Sequence, residues 1–136
     1  NYLDESNEPL YPFGYGLSYT DFVYGELQIS SETLPKNGEL TVSVTVTNKG
    51  NYDGYETVQL YLHDIYAEIA RPVKELKGFE RVFLKSGESR DVKFVITEDD
   101  LKFYNSELHY VYEPGEFDVM VGPNSRDVQT KSFQAK

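Results

Sequence analysis

A chain of 136 residues is enough for one domain and buries about two thirds of the surface it exposes when unfolded, so it folds without staples; it has no cysteine, which excludes a disulfide framework and any thiolate metal site. Its 13 Lys+Arg against 23 Asp+Glu give a net charge of −10, a field that repels a phosphate backbone or an anionic membrane surface and so excludes nucleic acid and membrane as partners. Apolar runs such as Val82-Phe83-Leu84 are far too short to span a bilayer, and a start at Asn1 rather than Met reads as a processed protein or a piece of a longer one.

In chain order, residues 1–17 read as an extended linker. Pro9, Pro12, Gly14 and Gly16 forbid a helix, while Leu10, Tyr11, Phe13 and Tyr15 are too apolar for a free tether, so this segment is expected to dock on something. Short strands follow from Ser18 onward. Tyr19–Ile29 is the first. Leu40–Thr47 is the clearest: Leu40, Val42, Val44 and Val46 face one way, and Thr41, Ser43, Thr45 and Thr47 the other. Lys36-Asn37-Gly38-Glu39 before it and Asn48-Lys49-Gly50-Asn51 after it carry turn chemistry.

Tyr55–Leu62 is the third strand, with Val58, Leu60 and Leu62 inward. Leu76–Leu84 is the fourth, where Gly78 signals a bulge, and Ser89–Ile96 is the fifth, across the turn Lys85-Ser86-Gly87-Glu88. Thr97 followed by Glu98, Asp99 and Asp100 predicts an N-cap and one helical turn ending near Tyr104. Leu108–Tyr112, Glu116–Val121 and Val128–Phe133 complete the set, with turns at Glu113-Pro114-Gly115 and Gly122-Pro123-Asn124-Ser125. No long amphipathic helix interrupts the series. The pattern predicts an all-β fold, a β-sandwich of about seven antiparallel strands over 18–136, with one longer loop at His63–Arg71.

Candidate chemistry is sparse. Gly14 and Gly16 lack the third glycine, the preceding strand and the following helix of a dinucleotide fingerprint, and a nucleophile elbow would need glycine at Thr20. His63 and His109 have no second ligand at metal spacing, and surface or sheet-edge roles account for them. The run Glu98-Asp99-Asp100 lacks the alternating spacing of a calcium loop and is better explained as helix-dipole capping, with a calcium site as the alternative. Glycosidase chemistry needs two carboxylates across a cleft, and no pair among the acids is singled out. Tyr61, Tyr66, Tyr104, Tyr110 and Tyr112 read as exposed or near loops, where they cover the sandwich ends or a domain interface, or alternatively contact sugar. No catalytic, cofactor-binding or metal residue is assigned.

The segment Pro9-Leu10-Tyr11-Pro12-Phe13-Gly14-Tyr15-Gly16-Leu17-Ser18-Tyr19-Thr20, followed by Phe22, resembles the family 3 glycoside hydrolases. It resembles the junction between their second catalytic-region domain and a C-terminal fibronectin type III-like domain. The resemblance continues through Glu56-Thr57-Val58-Gln59-Leu60-Tyr61-Leu62, Arg71–Val82, Leu84–Ser89 and Glu113–Gly122, spanning Glu8 to Phe133. It implies an immunoglobulin/fibronectin type III-like β-sandwich attached to a β-glucosidase-like parent. It further implies that the aspartate nucleophile and glutamate acid/base lie on other domains, so that this chain supports catalysis without performing it, with the catalytic domains of the same polypeptide as its partners. The resemblance also points to a periplasmic or secreted parent. A carbohydrate-binding module and a protein-interaction sandwich are the competing readings.

Overall fold

Alternating β-branched and polar residues specify the longest strands, because a branched side chain packs well on a pleated, half-buried surface. The computed structural model describes residues 20–65, 74–104 and 107–136. The linker 1–17, Ser18, Tyr19, Tyr66 and most of the loop His63–Arg71 lie outside the described residues. Among those described, the strands are β1 Phe22–Tyr24, β2 Gln28–Ile29, β3 Thr33–Leu34, β4 Leu40–Asn48, β5 Gly54–Asp64, β6 Lys74–Leu84, β7 Ser89–Ile96, β8 Phe103–Tyr104, β9 Tyr110–Val111, β10 Gly115–Gly122 and β11 Gln129–Ala135. A 3-10 turn covers Glu98–Leu101, and no α-helix occurs among these residues.

The first sheet is built on β4. β7 runs antiparallel along one edge, from Leu40 opposite Ile96 to Thr47 opposite Ser89. β1 and β2 pair with the two ends of β4 along its other edge. The second sheet has the order β3-β11-β10-β5-β6, antiparallel except where β3 joins β11 in parallel. The two inner faces meet in one core. Val42, Val44, Val46, Val92 and Ile96 come from the first sheet; Val58, Leu60, Leu62, Phe117, Val119, Val121 and Phe133 come from the second. Removing each such side chain from water stabilises the fold by about 1.5–3 kcal/mol. Phe117, fully buried, stacks on Phe133 with ring centroids 5.8 Å apart and lies 6.3 Å from Phe103.

Three expectations are corrected. The first strand is not continuous: the chain leaves β4 between β1 and β2, and the Gln129 side chain fills the gap. Its Oε1 accepts from Leu27 N at 3.0 Å and its Nε2 donates to Gly25 O at 2.7 Å, which frees Leu27 to enter the core. The helical turn ends at Leu101 rather than near Tyr104, because Phe103–Tyr104 turns into a ribbon with Tyr110–Val111. The expected strand Leu108–Tyr112 is therefore only β9, and it belongs to that ribbon and not to the sandwich. The Gly78 bulge is present one residue away: Leu60 faces Gly78 and Tyr61 faces Leu76, leaving Lys77 as the extra residue. A Cβ at Gly78 would lie 3.6 Å from the Phe94 ring of the opposite sheet, an ordinary contact, so packing does not demand glycine there.

Candidate functional site

The most constructed polar site in the described residues stands where the chain enters the sandwich. Asn48 is the fully buried polar side chain of the core, at the end of β4. Its Oδ1 accepts from Thr20 Oγ1 at 2.5 Å and from Gly50 N at 3.0 Å, and its Nδ2 donates to Tyr52 O at 2.8 Å and Leu84 O at 3.0 Å. Its backbone is also engaged, donating to Glu88 O and accepting from Gly87 N. Lys49 N donates to Asp21 O at 2.7 Å. One side chain thus ties together the incoming chain, the β4–β5 loop and the end of β6. Such a site exists because a buried amide must satisfy both ends, and each lost partner costs about 1–3 kcal/mol. Gly50 is needed for the close approach: a Cβ there would sit 2.6 Å from Thr20 Cα and 2.7 Å from Asp21 N.

Beside this clamp, Tyr24 on β1 donates its hydroxyl to Glu56 Oε2 on β5 at 2.7 Å, joining the two sheets. Burial pushes the Glu56 carboxyl above its usual range, partly offset by the Tyr24 hydrogen bond. Burial, then the Glu56 charge and the shared hydrogen bond, push the Tyr24 phenol up as well. The pair is a hydrogen-bonded link between β1 of one sheet and β5 of the other.

The residues weighed for chemistry are scattered. His63 on β5 lies 3.8 Å from Asp118 on β10, while His109 sits by Glu107 near β9, also at 3.8 Å. Among the described residues no group of His, Asp and Glu is placed to hold a metal ion. The acidic run is absorbed locally. Glu98 accepts from Asn37 N at 2.8 Å, Asp99 pairs with Lys102 at 2.9 Å, and Asp100 accepts from Thr97 N at 2.9 Å, closing the turn as the cap expectation requires. Tyr104 and Tyr110 come together on the β8–β9 ribbon, half-exposed, with rings 4.9 Å apart and tilted by 46°. Tyr61 is half-buried on β5 and bonds Gln59, and Tyr112 bonds the Lys136 carbonyl at 2.6 Å. Among the described residues these tyrosines form no common platform beyond the Tyr104–Tyr110 pair. A cleft of about 290 Å³ lies between β2 and β11, near the lower limit for a small-molecule pocket and open to solvent.

Asn48 escaped the sequence reading, which placed it in a turn. The signal was available: counting by two from Val46 puts position 48 on the inward face.

A four-stranded sheet packed on a five-stranded one, with β3 crossing to join β11, defines the fibronectin type III-like class of β-sandwich. Residues 56–125 match the fibronectin type III-like domain family, and the chain belongs to it. The chain is 49% identical over 133 residues to a periplasmic β-glucosidase of Salmonella typhimurium, covering 98% of this chain and 17% of that protein. It is 44% identical to a β-xylosidase of Formosa agariphila, covering 99% of this chain and 19% of that one. The β-glucosidase of Listeria innocua, solved with gluconolactone, superposes with a TM-score of 0.74 at 46% identity, covering 99% of this chain and 19% of that chain. The chain thus spans less than a fifth of each of these relatives.

Proposed function

We propose that this chain is the non-catalytic accessory domain of a family 3 glycoside hydrolase whose other domains hydrolyse terminal β-glucosides, and that it stabilises and positions those domains. The observation that carries the proposal is the match of nearly the whole chain to a small fraction of several long β-glycosidases. The geometry favours the same reading. The buried polar groups of the sandwich are spent on holding Thr20 and the two sheets together. In this scheme residues 1–17 link and dock the sandwich 18–136 to the preceding domain, and the Asn48 clamp fixes the point of attachment. An exported parent belongs to the same proposal, and cell fractionation of the full polypeptide tests it: recovery of activity only from the cytoplasm would contradict it. The coding sequence upstream of Asn1 tests the main reading. A frame that runs back through catalytic domains is expected; one that opens at or near Asn1 would overturn it.

A second reading, contact with carbohydrate, rests on the half-exposed Tyr104–Tyr110 pair. Isothermal titration with gluco-oligosaccharides decides it, and silence at millimolar ligand would remove it.

A further inference from the structure

The outer face of the second sheet is not the wet face that its alternation implies. With Val58, Leu60 and Leu62 turned inward, the registers Tyr55↔Phe83, Gln59↔Phe79 and Tyr61↔Leu76 place these side chains outward on β5 and β6. Phe79 is 65% exposed, Tyr55 59%, Leu76 51% and Phe83 40%. Exposed apolar residues on the first sheet stand singly: Val23 lies opposite Thr47, and Val95 opposite Thr41. Isolated residues of that kind are ordinary, whereas a contiguous patch marks an interface.

The patch is also organised. The Tyr55 and Phe83 rings lie 5.0 Å apart, and the Arg81 guanidinium stands 4.1 Å over Tyr55. Aromatic residues and arginine held rigid in this way are the types that dominate binding energy at protein interfaces. β6 is the edge of its sheet among the described residues, so its outward apolar row borders unpaired backbone, an arrangement that proteins cover.

Charge narrows the occupant. In a chain of net charge −10, no outward position of β5 or β6 carries a carboxylate, and the ionisable cations there are Arg81 and Lys74, with His63 beside Asp118. The complementary surface is apolar with acidic groups at its rim. A second copy of this acidic chain would bring its own cationic face against this one, and the Arg81 side chains would repel across a two-fold contact. The remaining candidate of sufficient size is the polypeptide beyond this domain, since relatives of this chain are more than five times its length. We infer that the outer β5–β6 face, centred on Tyr55, Phe79, Arg81 and Phe83, is the surface through which this domain seats on the catalytic domains of its own polypeptide. The inference rests on the accessory-domain reading and adds to it the contact surface and the chemistry of its partner.

Hydroxyl-radical footprinting of the full polypeptide tests it, with each side chain's labelling normalised to its intrinsic reactivity. Tyr55, Phe79 and Phe83 are expected to be labelled several-fold less than their exposures in the separate domain imply, and Val95 to be labelled freely. In Arg81→Glu the three residues are expected to gain labelling while β4 stays protected. Free labelling of Phe79 and Phe83 in the native polypeptide would overturn the inference. So would protection lost on dilution to monomer, which would assign the face to a second copy, or protection seen only with added gluco-oligosaccharide, which would assign it to a glycan. Activity on an aryl β-glucoside is read in the same samples. An active enzyme with a labelled face sinks the seat alone; an inactive polypeptide with a protected face sinks the glycosidase reading and leaves the seat standing.

Discussion

Replacing Asn48 by alanine is the sharpest perturbation of the sandwich. The side chain is wholly buried. Its loss leaves Gly50 N and Leu84 O without the partners they have at 3.0 Å, whereas Tyr52 O keeps the Thr20 hydroxyl at 2.7 Å. One buried and one partly buried orphaned group at about 1–3 kcal/mol each, with a small cavity added, give a loss of roughly 3–5 kcal/mol. Against a typical domain stability of about 5–15 kcal/mol this removes a large share. Urea unfolding of the 136-residue chain, followed by far-ultraviolet circular dichroism and tyrosine fluorescence, reads it as a lower midpoint at unchanged slope. Asn48→Asp keeps the acceptors and loses both donors, turning a carboxylate toward the Tyr52 and Leu84 carbonyls. It should cost more than alanine at neutral pH and less in acid, where the carboxyl is protonated and again has a hydrogen to donate. A loss below about 1 kcal/mol for Asn48→Ala would refute the claim that this amide clamps the junction.

Two further predictions concern the surroundings of the clamp, and a third concerns the β6 bulge. Gly50→Ala should destabilise by about 1–3 kcal/mol, because its Cβ meets the Thr20 backbone rather than a flexible side chain; calorimetry showing an unchanged midpoint would contradict this. Glu56→Gln keeps an acceptor for Tyr24 but cannot ionise. Because the folded-state pKa of Glu56 lies above its unfolded value, the wild-type contribution is full below the unfolded pKa and is lost as pH rises through the folded one. The stability of the glutamine variant relative to wild type should therefore climb with pH across that window, and a flat difference would show that the carboxyl is not strained by burial. Lys77, almost buried at the bulge, donates to Lys102 O at 2.8 Å, pairs with Glu75 at 3.2 Å and lies 4.6 Å over the Phe103 ring. Lys77→Met should speed hydrogen exchange in the β8–β9 ribbon by about tenfold or more while β4 amides hold. Equal effects in both would mean that Lys77 serves the whole core.

The parts of the fold that the sequence makes legible are those with a long, local signal. Leu40 to Val46 alternates without a break, and the structure buries every one of its even positions. The same holds for Val58, Leu60 and Leu62. What escaped lies in pieces too short to carry a period. β3 and β8 are dipeptides; the first pairs with β11, about a hundred residues away, the second with another dipeptide, β9, and the break between β1 and β2 is set by the distant Gln129. The outer β5–β6 face was hidden for a different reason. Along β6 the outward Phe83 sits between inward Val82 and Leu84 in one apolar run, and Phe79 stands apart from them beyond Glu80 and Arg81, so only the register shows that Phe79 and Phe83 share the outer face. At the candidate site, alternation legible at Val46 continues to Asn48, but asparagine beside Gly50 reads as turn chemistry, and the residue that plays both parts is recognisable only once Thr20 and Leu84 are brought to it.

The most direct test of the account is removal of residues 20–136 from the full polypeptide, with thermal inactivation and aryl β-glucosidase kinetics measured against the intact enzyme. The account predicts a lower inactivation temperature or loss of soluble enzyme, with no hydrolysis by the removed domain alone. Unchanged stability and unchanged kinetics after the deletion would contradict it.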